Sequence, residues 1–142
     1  MRPDVPSFTV WAPRADRVDV VAGDRRQPMR RGDRGWWAAE AGDAGPGTDY
    51  GFSLDGGPVR PDPRSAWQPD GVCGLSRLLD HDAFAWTDAG WRGLALPGAV
   101  LYECHIGTFS TAGTFDGAIG HLDHLAWLGI DAIELMPVAE FS

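Results

Sequence analysis

The chain changes its hydrophobic rhythm twice. In "SFTVWAP" (7–13) apolar and polar positions alternate, and "RVDVVAG" (17–23) is a β-branched run; both predict short strands, joined through "RAD". "MRRGDRGWWAAEAG" (29–42) predicts two more strands around a Gly-Asp turn, and "TDYGFSLDGG" (48–57) another that ends in a Gly-Gly turn. Four or five short strands at regular spacing predict an antiparallel, immunoglobulin-like β-sandwich over residues 1–57.

Between residues 58 and 98 the rhythm dissolves. The stretch "GPVRPDPRSAWQPDGVCG" (57–74) holds four prolines, each of which removes a backbone donor and pushes its predecessor toward extended geometry. Val59, Trp67, Val72 and Leu75 give it apolar anchors, so it reads as an ordered connector lying over a surface. Phe84, Trp86 and Trp91 in "AFAWTDAGWRGLALPG" (83–98) read as residues of an interdomain seam.

From residue 99 to 142 the period changes again. "AVLYECHI" (99–106) and "IDAIELMPV" (130–138) are apolar runs suited to strands buried on both faces. Between them, "TAGTFDGAIGHLDHLAWLG" (111–129) predicts a helix: Phe115, Ala118, Ile119, Leu122, Leu125 and Ala126 recur at spacings of three and four, with Thr114 to cap the start and Gly129 the end. Strand, helix and strand of this length make a right-handed β-α-β unit with parallel strands. A lone unit of that kind cannot cover both faces of its own sheet, so its apolar strands would be left wet.

Charge and cysteine content narrow the function classes. All 12 basic residues are Arg, the last is Arg92, and the net charge is −8; six acids and no base follow Gly93. Such a chain cannot neutralise a row of phosphates, which argues against a nucleic-acid partner. No stretch is apolar enough to span a bilayer and no apolar signal core opens the chain, so no membrane partner and a cytoplasmic location are expected. Cys73 and Cys104 stand far apart and outside any Cys/His cluster, which predicts two structural thiols, no metal and no cofactor.

The motifs then resemble a known family. "FTVWAPRADRVDVVA" (8–22) is similar to the N-terminal sandwich of starch- and glycogen-acting members of the α-amylase family of glycoside hydrolases. "YECHIGTF" with "GTFDGAIGHLDHLAWLGIDAIELMPVAEF" resembles the first strand, helix and second strand of their (β/α)8 TIM barrel, with Cys104 where an aliphatic residue is usual. The resemblance implies a truncated barrel that begins at residue 99. "RPDPRSAWQPDGVCGLSRLLD" (60–80) and the repeated "GTF" of 107–115 resemble the trehalose-releasing members, whose substrate is malto-oligosyltrehalose. The activity implied for the parent is hydrolysis of the α-1,4-glucosidic bond next to the terminal trehalose unit, with one carboxylate as nucleophile and another as general acid/base. In this family those carboxylates come from later barrel strands, so no catalytic residue is expected in this chain. Two alternatives stand: a free-standing α-glucan-binding module, and part of a branching or debranching enzyme. An exposed aromatic pair on one sheet face would mark the binding module.

Several residues invite a role. Glu103 and His105 share one face of the first barrel-like strand and Glu134 lies on the second; the carboxylates read as a buried packing network, while His105, near the strand's top, is a candidate to touch substrate. Glu140 follows the second strand, where a loop carboxylate would line a sugar cleft. Trp36 and Trp37 are neighbours on a strand, so one points inward and the other outward, and an outward Trp is a candidate sugar platform. His121 and His124 lie three apart on the helix with no third ligand evident, and read as part of a solvated face. The exposed barrel strands are expected to drive self-association, or to be shed by proteolysis after about residue 98.

Overall fold

The computed structural model describes residues 7–139. It divides into two compact units at Phe84 and Ala85. The first unit holds strands β1 (Ser7–Trp11), β2 (Val18–Ala22), β3 (Arg25–Pro28), β4 (Arg30–Arg31), β5 (Trp36–Glu40), β6 (Asp49–Leu54) and β7 (Ser76–Arg77). They form two antiparallel sheets, ordered β1-β5-β4 and β3-β2-β6-β7.

The two-residue period decides what goes inside. On β1, Phe8 and Val10 are buried while Ser7 and Trp11 face solvent; in register across the sheet, Val10 sits beside the buried Trp37 and Trp11 beside the exposed Trp36. Phe8, Val10 and Trp37 of the first sheet meet Val18, Val20, Tyr50 and Phe52 of the second in one core. Phe8 and Tyr50 have ring centroids 5.0 Å apart, and the indole N–H of Trp37 donates to the Ala12 carbonyl at 3.0 Å.

Strands β3, β4 and β7 carry almost no hydrophobic signal. "RRQP" becomes β3 because Gly23, at φ 54°, closes a two-residue turn that sets Ala22 against Arg25. The segment after residue 57 is also part of the sandwich: Arg60 exchanges backbone hydrogen bonds with Phe52, and β7 pairs with β6 as an edge strand.

Two carboxylates, one buried and one partly exposed, tie these edges down. Asp19, 2% exposed, accepts from Arg17 Nε at 3.1 Å and Arg26 Nη1 at 3.3 Å. Burial pushes its pKa up, but the two guanidinium partners outweigh that and hold it below the ordinary 3.8. Asp49 is held down chiefly by the hydrogen bonds of Arg77, at 2.6 and 2.9 Å. Both carboxyls are more acidic folded than unfolded, so their stabilisation is complete above the ordinary Asp pKa and is lost as pH falls through the lower folded values. The urea midpoint of residues 7–84 is expected to hold between about pH 7 and 5 and to fall below about pH 4. A midpoint that rises on acidification contradicts these assignments.

The second unit holds β8 (Leu101–Cys104), α1 (Ile106–Phe109), α2 (Phe115–Ile119), α3 (Leu122–Trp127) and β9 (Ala132–Leu135). The two strands are parallel, with Leu101 opposite Ala132 and Cys104 opposite Leu135. The single helix expected over 111–129 is interrupted at Gly120 and His121. Gly117 and Gly120 supply little helix propensity, and the Gly120 N–H bends back to the Ala118 and Asp116 carbonyls. The caps fall as read: Thr114 Oγ1 accepts from Gly117 N at 3.2 Å, and Gly129 takes φ 81°. Among the described residues of this unit only Cys104, Ala118 and Leu125 are buried, whereas Leu101, Ile133 and Leu135 are exposed. The strands are therefore not enclosed on both faces as their composition predicts. Short helices over one β-α-β sheet leave the rest of its apolar surface in water.

Candidate functional site

The outer face of the β1-β5-β4 sheet gathers the aromatic and cationic side chains that stand out from the core. Trp11 is 59% and Trp36 41% exposed, and they are direct partners in the antiparallel register. One row along lie Thr9, its partner Ala38, and Arg30. Both indoles are fixed in place. Trp11 donates its indole N–H to the Arg34 carbonyl at 3.0 Å; that carbonyl belongs to a turn in which Arg34 and Gly35 both have positive φ, at 55° and 85°. Gly35 is required there, since a β-carbon would fall 2.6 Å from Pro13 Cβ.

Trp36 is held by Arg64, whose guanidinium carbon lies 5.2 Å from the ring centroid. Arg64 Nη2 also donates to the Thr9 carbonyl and, at 2.8 Å, to Thr9 Oγ1. The base of this arm is a buried network. Asp62 accepts from the Arg64 backbone N–H at 2.8 Å through Oδ1 and from Tyr50 OH at 3.0 Å through Oδ2, while its own N–H donates to Ser76 Oγ at 2.9 Å. Burial, with the negative charge of Asp62 next in size, pushes the Tyr50 hydroxyl up to about 12, so it remains a proton donor at any physiological pH.

The residues picked out from sequence divide sharply. Trp37 is 5% exposed and belongs to the core, because its register partner is the inward Val10; it offers no ring face to a sugar, and the platform candidate narrows to Trp36. Trp11 was not singled out, although the inward alternation of Phe8 and Val10 already aims it outward. His105 is partly buried and caps α1, its Nδ1 accepting from Gly107 N at 3.1 Å. Glu140 lies outside the described residues. Glu103 and Glu134 are register partners on β8 and β9 but are exposed, not enclosed in a packing network, because nothing described covers that side of the sheet. His121 lies edge-on to Phe109 at 5.7 Å and His124 stacks on Trp127 at 5.8 Å. Among the described residues no three His, Cys, Asp or Glu side chains are grouped to hold a metal ion, and no helix is long and apolar enough to cross a membrane.

Residues 2–65, which include most of this antiparallel sandwich, match the family Carbohydrate-binding module 48 (isoamylase N-terminal domain). The relatives that span both units carry a more particular name. Over 142 aligned residues the chain is 50% identical to malto-oligosyltrehalose trehalohydrolase from Rhizobium sp. (strain M-11), covering 95% of this chain and 24% of the relative. The resemblance read from "FTVWAP", the connector and "ELMPV" is thereby borne out. A 1,4-alpha-glucan branching enzyme from Xanthomonas oryzae is a more distant relative, at 35% identity over 94% of this chain and 21% of its own length. Among solved structures, a Salmonella typhimurium protein assigned as an α-amylase superposes with a TM-score of 0.91 at 40% identity, over 96% of this chain and 23% of that one. The chain thus spans about a quarter of the length of the relatives it matches.

Proposed function

We propose that this chain is the N-terminal portion of a trehalose-releasing glycoside hydrolase acting on malto-oligosyltrehalose. The observation that carries the reading is 50% identity to a trehalohydrolase running through both units, sandwich and β-α-β alike. In this reading residues 58–98 connect the sandwich to the first β-α-β unit of a (β/α)8 barrel, and β8 and β9 are its first two strands. Barrel enzymes assemble their sites from loops at the C-terminal ends of all the strands. His105 and Glu140, after the first and second strands, would then border the sugar, while the nucleophile and acid/base carboxylates of a retaining hydrolase lie on strands beyond residue 142. The sandwich contributes α-glucan binding. The exposed apolar side chains of β8 and β9 fit a sheet that further strands complete, and in their absence they offer an edge for self-association.

The test is trehalose release from malto-oligosyltrehalose by the purified chain. No release above the no-enzyme control is expected. Turnover that disappears in Glu103→Gln or Glu134→Gln would overturn the assignment of catalysis to strands outside this chain.

A further inference from the structure

We propose that Arg25 and Arg30 form a binding site for a phosphate-bearing small molecule in the recess where β3 parts from β5. The recess follows from the strand pairing. β4 covers only Trp37 and Ala38 of β5, and before it the chain passes through the buried Met29 from the other sheet, where it runs as β3. Ala39 and Glu40 therefore have no strand beside them on that side, and a recess of about 390 Å3 opens between the two sheet edges. Its size is that of a small-molecule pocket.

Two guanidinium groups from different sheets line it. Arg25 stands opposite Ala22, two positions from Gln27, which stands opposite the buried Val20, so Arg25 takes a core-facing position on β3. Its guanidinium lies over Gly42, where a β-carbon would fall 2.6 Å from Nη1; glycine, at φ 61°, leaves it that room. Gln27 bridges the gap between the sheets, donating from Nε2 to the Glu40 carbonyl at 2.6 Å. Arg30 comes from β4, opposite the small Ala38. Among the described residues neither guanidinium makes a hydrogen bond or an ion pair, and Glu40, the one acid lining the recess, pairs with neither.

The charge around the recess selects an anion. Residues 25–34 hold Arg25, Arg26, Arg30, Arg31 and Arg34 against the single acid Asp33, in a chain whose net charge is −8. Arg26 is committed to Asp19, and Arg31 to the face of Trp37 at 5.5 Å, which leaves Arg25 and Arg30 over. A charge on an edge strand guards it against pairing with another chain. Two uncommitted planar forks on one recess also suit the oxygens of a phosphate group, which arginine holds through paired hydrogen bonds. A second recess that shares Arg25 and Gln27 is lined by Asp24 and Asp43, which repel an anion and confine it to the Arg30 side. Malto-oligosyltrehalose carries no charge, so this recess is not a subsite for it; the ligand is a separate, anionic molecule.

The experiment follows the phosphorus NMR signals of inorganic phosphate and of glucose 6-phosphate as the 142-residue chain is added, above pH 7, where the phosphate ester is a dianion. Wild-type chain is expected to broaden and shift them. Arg25→Gln and Arg30→Gln should each weaken binding about tenfold, the loss of one charge-assisted contact, while Arg92→Gln, which removes the same charge from the other unit, binds as wild type. Both recess arginines are exposed, so unchanged urea midpoints are expected to show that the variants are folded. Tighter binding of the ester than of inorganic phosphate assigns the site to a phosphorylated sugar, and equal or weaker binding of the ester assigns it to the phosphate group alone; either supports the site. No binding by the wild-type chain, an equal loss in Arg92→Gln, or wild-type affinity in either recess variant overturns it. Trehalose release does not enter this measurement, so the site can fail while the assignment to a trehalose-releasing parent stands.

Discussion

Phe52→Ala is expected to destabilise the sandwich by about 3–5 kcal/mol, the usual cost of emptying a buried phenylalanine site. Phe52 is 1% exposed and the largest fully buried side chain described. Its ring meets Tyr50 edge-on at 6.0 Å, and its backbone pairs with β2 on one side and Arg60 on the other. Little around it can collapse, since Val18 and Val20 are β-branched and already enclosed. A unit of this size has a total stability of only about 4–12 kcal/mol, so the substitution removes a large share of it. Urea unfolding followed by near-ultraviolet circular dichroism measures the loss; a change under about 1 kcal/mol would mean that Phe52 is not central to the core.

Asp62→Ala should cost about 2–4 kcal/mol, from buried polar groups left without partners. Tyr50 OH loses its acceptor, and the Arg64 backbone N–H loses the carboxylate that sets its position. The loss goes beyond stability because Asp62 is the base of the arm that reaches Trp36. Asp62→Asn retains an acceptor and removes only the charge, so it is expected to recover about half of the stability. Urea midpoints for the pair check this. Equal midpoints for wild type and Asp62→Ala would mean that the 58–78 segment is held to the sheet by its other contacts alone.

How far the sequence reaches depends on the range of the interaction. Phe8 and Val10 alternate locally, so β1 is legible, and so is the outward aim of Trp11. Whether Trp36 or Trp37 faces the core is set by pairing with Val10, some 27 positions away, and local alternation leaves both orientations open. Arg25–Pro28 has almost no apolar side chain to announce a strand and exists through its hairpin turn. The helix was legible as an apolar stripe, but its interruption reflects two glycines and their local backbone hydrogen bonds. Arg64 over Trp36 and Thr9 joins positions 55 apart to the sheet, and no spacing rule signals it.

The most direct test of the central claim is made in a chimera. Residues 1–142 are exchanged for the matching portion of the Rhizobium trehalohydrolase, and trehalose release from malto-oligosyltrehalose is measured. If this chain is the N-terminal portion of such an enzyme, its sandwich and first barrel strands will complete the host's barrel, and the chimera will release trehalose at a rate within about tenfold of the host. A soluble, folded chimera that releases no trehalose would contradict the assignment.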